Sequence, residues 1–146
     1  MKISKIILLI ILSLLILISG FTLFSCFSER DRESVREIRY IKQEFLDKSS
    51  ERNITFIQKE QELKDIRREL IRIDKPDNKN LRGAYDKCLL GMDKSISSLG
   101  IIILMEKLQK KGASQNDIED MFEDANKLLM ESTQLFYEVD SILEDY

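Results

Sequence analysis

Lys110-Lys111-Gly112-Ala113-Ser114-Gln115-Asn116-Asp117 stops one helix and starts the next. Gly112 supplies the left-handed conformation in which helices end, and the two lysines before it suit the negative end of a helix dipole. Ser114 then offers its hydroxyl to the first turn of a new helix, with Asp117 three residues on as a capping-box variant. So short a connection between long helices makes them antiparallel neighbours.

Working outward, the helix after this junction runs from Gln115 to about Leu143. Its apolar positions are Ile118, Met121, Phe122, Ala125, Leu128, Leu129, Leu135, Phe136, Val139, Ile142 and Leu143. Steps of three and four over that length predict one buried face. The helix before the junction spans about Leu81 to Lys111, with a stripe of Leu81, Tyr85, Cys88, Met92, Ile96, Leu99 and Ile103. Ile101 to Met105 is apolar without a break, which predicts burial on more than one side. Gly91, Ser95 and Ser98 form a small-residue track that lets a neighbouring helix approach. Gly100 weakens a helix by ~1 kcal/mol relative to alanine, and a kink or tight contact is expected there.

Asp74-Lys75-Pro76-Asp77-Asn78 makes a turn, because proline lacks a donor and crowds the residue before it. The segment before it, about Glu29 to Ile73, carries two apolar stripes. One is Val35, Ile38, Ile41, Phe45 and Leu46; the other is Phe56, Leu63, Ile66, Leu70 and Ile73. Between them, Asp47 to Asn53 has no apolar residue and reads as a kink, a loop or an exposed turn of one long helix. Positions 35, 42, 49, 56, 63 and 70 form a partial heptad seam, a route to self-association through the long first helix. The expected fold is all-α: a membrane-targeting N-terminal helix, then an antiparallel three-helix, up-down-up bundle with a long first helix. The division falls at residues 1–26 and 27–146.

The targeting segment is itself legible. Lys2 and Lys5 precede Ile6 to Phe24, a run of 19 residues without a charge. At ~1.5 Å per residue such a run matches the hydrocarbon core of a bilayer. The lysines hold the start of the chain in the cytoplasm and send the rest outward. The run ends in Leu23-Phe24-Ser25-Cys26, which resembles the lipobox of bacterial lipoproteins in the looser form found in spirochaetes. Leu23 takes the −3 position and Ser25 the −1 position; Phe24 and Phe27 depart from the usual pattern. The resemblance implies cleavage between Ser25 and Cys26, lipidation of Cys26, and two or three acyl chains, enough for firm anchoring. The alternative is an uncleaved spanning anchor, with Phe24 and Phe27 as interfacial aromatics; no Ala-x-Ala-like site favours plain secretion. Either anchor places the domain outside a bacterial cell membrane or on the outer surface.

Composition narrows the chemistry. The chain has no histidine, two cysteines and no glycine-rich phosphate loop, so the commonest general base and nitrogen metal ligand are missing. No cofactor, no metal and no enzymatic activity are expected. The chain is acidic, with a net charge of −3, unlike the basic faces that nucleic acids select. From Asp117 to Tyr146 ten acids face the single Lys127, whereas Pro76 to Ala113 carries seven bases against four acids. Glu119, Asp120, Glu123, Asp124, Glu131 and Glu138 form a candidate interaction face for a protein partner on the extracytoplasmic side. Cys88 reads as a core thiol. Tyr40, Phe45, Phe56, Tyr85, Phe122, Phe136 and Tyr137 read as core, and Tyr146 as an exposed terminus. The whole resembles small helical surface lipoproteins, in which a short bundle presents one face to a partner. That resemblance implies a non-catalytic binding module; the alternative is a single-pass sensory or assembly protein.

Overall fold

A computed structural model describes residues 29–146; the leader, with Ser25 and Cys26, lies outside the described residues. These fold into four helices, α1 (Glu29–Ser50), α2 (Phe56–Arg72), α3 (Lys79–Lys110) and α4 (Gln115–Glu144). Among the described residues there is no strand.

Four helices replace the expected three because the first segment breaks in two. Ser49 and Ser50 turn their hydroxyls back onto the carbonyls of Leu46 and Asp47 in the last turn of α1. Thr55 then starts α2 with a full capping box. Its Oγ1 accepts from the Gln58 amide at 3.2 Å, and the Gln58 side chain accepts from the Thr55 amide at 3.0 Å. Two otherwise orphaned donors are satisfied at once. The heptad seam therefore falls on two separate helices, with Val35, Lys42, Leu63 and Leu70 buried inside the bundle. Thr55→Ala is expected to cost about 1 kcal/mol. Urea denaturation checks this, and an unchanged midpoint would count against the cap.

Cross-helix pairs give the direction of every neighbour. Lys48 meets Glu62 at 3.0 Å near one end of α1, and Arg30 meets Asp77, in the turn after α2, at 3.2 Å near the other. Arg67 donates to Asp93 at 2.9 Å, and Lys75 pairs with Asp86 at 2.7 Å. Lys94 pairs with Glu131, and Ser98 donates to the Ala125 carbonyl at 2.8 Å. Arg39 reaches the Leu143 carbonyl, and Lys42 pairs with Asp140. In each case numbers rise along one helix as they fall along the other, so the bundle is up-down-up-down. Ile38, Phe45, Leu70, Leu81, Cys88, Met92 and Val139 are fully enclosed.

The junction quoted first is built as its residues predict. Gly112 sits at φ 83°, its amide donates to Gln109 and the Ala113 amide to Leu108, the paired bonds of a Schellman motif. Ser114 accepts from the Asp117 amide at 3.2 Å. The other end differs from expectation. Asn78 caps α3, which begins at Lys79, and its side-chain oxygen also accepts from the Tyr146 hydroxyl at 3.1 Å. Tyr146 is thus half-buried and tied down, not a free terminus.

The small-residue track brings α3 and α4 close. Ser132 donates to the Gly91 carbonyl and shares a hydrogen bond with Ser95, both at 2.7 Å. A Cβ on Gly91 would stand 3.1 Å from the Phe136 ring, whereas one on Gly100 would meet only Glu60 Oε1 at 3.9 Å. No tight contact is made at Gly100, and α3 continues through it as one helix. Gly100→Ala should therefore stabilise by roughly 0.5–1 kcal/mol, and Gly91→Val should destabilise by about 1–3 kcal/mol through overpacking. Thermal midpoints moving in opposite directions would confirm both.

Helix lengths position the site. α3 and α4 have 32 and 30 residues, but α1 and α2 only 22 and 17. The α3–α4 hairpin therefore outruns the other pair. α3 is also the one described helix long and apolar enough, by length and composition, to cross a membrane; yet 39% of its most apolar stretch is buried in the bundle. The same test is passed by the core helix of a soluble protein, and α3 packs against every other helix.

Candidate functional site

α4 repeats one apolar position every seven residues, at Phe136, Leu129 and Phe122, and two turns of helix return each to the same side. Phe136 is covered by Phe45 of α1, ring centroids 5.9 Å apart, and is 6% exposed. Leu129 and Phe122 are 50% and 52% exposed. The sequence is equivalent at the three positions; the difference is that α1 stops at Ser50. Phe122 is thus corrected from core to surface, and so are Tyr40 and Tyr137, both 68% exposed, and, at the margin, the more covered Phe56.

Where α1 and α2 end, a cavity of about 300 Å³ opens between the four helices. Leu46, Phe56, Leu63, Ile102, Leu129 and Phe136 give it an apolar wall, and Ser49, Ser95 and Ser132 a polar one. Leu129 belongs both to this wall and to the bare stripe, so the stripe runs into the cavity. Beyond it, Leu104 and Met130 are also exposed.

The acidic residues divide into two groups. Lys87 pairs with Glu138 and Lys94 with Glu131, rungs of a ladder spaced seven residues on both helices. At the next position α3 offers Ile101, and the ladder stops. Glu131 and Glu138 are thus engaged within the molecule, as rungs between α3 and α4. Glu119, Asp120, Glu123 and Asp124 are exposed and, among the described residues, take part in no ion pair. Glu119 and Glu123 lie beside Phe122 on the helix surface, whereas Asp120 and Asp124, each two residues from it, sit on the far side, Asp124 in line with Glu131. Of the six, Glu119 and Glu123 share the side of the helix that carries the exposed Phe122 and Leu129.

Each rung holds its carboxylate below the usual range, through the hydrogen bond from Lys94 to Glu131 and from Lys87 to Glu138. A depressed folded-state value stabilises the hairpin above the ordinary carboxylate range, and that contribution is lost as pH falls through the depressed values. Thermal stability should accordingly drop on acidification below the ordinary carboxylate range, and Glu131→Gln/Glu138→Gln should shallow that drop. A pH series of melting curves on both proteins reads the difference.

Other chemistry is sparse. Cys88 is enclosed, and burial pushes its thiol up to about 12, far from a reactive thiolate. No group of three or more His, Cys, Asp or Glu side chains among the described residues is placed to hold a metal ion. No protein-family model, curated protein or solved structure matches the chain.

Proposed function

We propose that this chain is a membrane-anchored, extracytoplasmic binding module without catalytic activity, and that its binding surface is the uncovered stretch of α4 around Phe122 and Leu129. The observation that carries the reading is the heptad series on α4, covered at Phe136 and bare at Leu129 and Phe122. Paired apolar residues rimmed by charge are what protein interfaces use as anchors.

The placement of the surface supports the anchor as well. α1 begins at Glu29, beside the turn that carries Asp74 and Asp77, and meets the end of α4 ten residues on, at Arg39. The α3–α4 turn lies at the opposite end, about 45 Å away at ~1.5 Å per residue of α3. An anchor upstream of Glu29, formed by Ile6 to Phe24 with or without lipid on Cys26, would hold one end at the membrane. The bare hairpin would then point away from it.

Two measurements test this on the full chain in a bacterium that processes lipoproteins. Intact mass of the membrane-extracted protein separates the anchors: Cys26 to Tyr146 plus acyl chains means a lipoprotein, and unprocessed Met1 to Tyr146 means a spanning helix. Benzoylphenylalanine at position 122 should cross-link a protein, and the same probe at the outward-facing Lys127 should not. A silent position 122 would sink the binding surface. A soluble mass with neither leader nor acyl chain would sink the anchor.

A further inference from the structure

The molecule already contains a working example of what covers this side of α4. α1 lies antiparallel on it, seats Phe45 on Phe136 at 5.9 Å, and brings two cations alongside. Lys42 pairs with Asp140, and Arg39 donates to the Leu143 carbonyl. Apolar residues on the stripe and basic residues beside it therefore hold a helix on the lower half. On the upper half the stripe continues through Leu129, Phe122 and Ile118, and the exposed Glu119 and Glu123 stand beside it. The pattern that holds α1 is repeated where α1 is missing.

Resting on the reading of the chain as a binding module, we infer that the upper half of α4 takes an amphipathic helix of another protein. That helix carries apolar residues on one face and lysine or arginine along its edge, and it lies end to end with α1. Its side chain nearest Ser50 would enter the cavity of about 300 Å³ that Leu129 and Phe136 line. Helix-in-groove recognition with anchors three, four and seven residues apart is the general mode. Charge selects this occupant over a second copy of the hairpin. Two α4 helices packed side by side would bring two unpaired acidic rims together, and like charges in apposition are costly.

The test uses the full chain in nanodiscs of zwitterionic lipid, with empty nanodiscs as the blank. The probes are two fluorescent designed helices, leucine at the apolar heptad positions and either lysine or glutamate elsewhere. The lysine helix should bind, and the glutamate helix should bind about tenfold more weakly or worse. F122S/L129S, which keeps every acid, should also lose about tenfold or more. E119Q/E123Q should weaken binding and flatten its salt dependence. Equal binding of both helices, or full binding by F122S/L129S, would overturn the inference. So would a dimer of the full chain that F122S/L129S dissolves, since a second copy would then hold the surface. The cross-link from position 122 separates the two failures. If it lands on a partner segment that is not a basic helix, the binding module stands and this inference falls; if position 122 stays silent, the reading beneath it falls too.

Discussion

Phe45→Ala is expected to destabilise the bundle by about 3–5 kcal/mol, whereas Phe122→Ala, the same chemical change, should stay within about 0.5 kcal/mol of wild type. Phe45 is fully buried and its ring meets that of Phe136 at 52°. Removing it takes away the transfer of a large ring from water and an aromatic contact, and leaves a void in the core. Domains of this size have stabilities of roughly 5–15 kcal/mol, so the loss is a large share of the whole. Phe122 already faces water over half its surface and leaves little behind when truncated. Urea denaturation of the two variants, with m-values compared, decides the point. A Phe122→Ala cost similar to that of Phe45→Ala would mean that the upper stripe is covered in the free protein, and the proposed surface would disappear with it.

The contrast between these two phenylalanines also marks where the sequence stops being readable. Lys110 to Asp117 spelled out its Schellman turn and N-cap because both motifs close within a few residues. Thr55-Phe56-Ile57-Gln58 was legible on the same grounds, as a capping box. The heptad series running through position 56 competes with it, and a long first helix stands in the expected fold where there are two helices. By contrast, nothing local separates Phe122 from Phe136. Which of them is covered depends on where α1 ends against α4, a register set by pairs about 100 residues apart such as Arg39 with Leu143. The acids behave alike: Glu131 and Asp124, seven residues apart, look equivalent until the antiparallel register puts Lys94 beside one and Ile101 at the place facing the other. Tyr146 read as a loose end because its partner, Asn78, sits 68 residues away.

Lys42 and Asp140 hold that register, and the two halves of the pair should respond unequally. The Lys42 side chain is 7% exposed and that of Asp140 48%. Asp140→Ala strands an ammonium in the bundle with its counter-ion gone, and a cost of about 2–3 kcal/mol is expected. That lies below the range for fully enclosed pairs, because water reaches the aspartate side. Lys42→Met keeps an unbranched chain of similar volume and leaves a carboxylate that water can solvate, so it should fall within about 1 kcal/mol of wild type. Adding Lys42→Met to Asp140→Ala should then recover most of the loss, since the stranded charge is its cause. Urea midpoints of the three variants form the cycle. An Asp140→Ala protein as stable as wild type would show that the charge pair contributes nothing to stability. The register of α1 would then rest on its buried apolar residues, Phe45 and Ile38 foremost, and on Arg39. An outside helix seated on the upper half of α4 would in that case need its apolar anchors more than its cations. The pair thus weighs, inside the molecule, the two kinds of contact that the bare half of α4 has to offer.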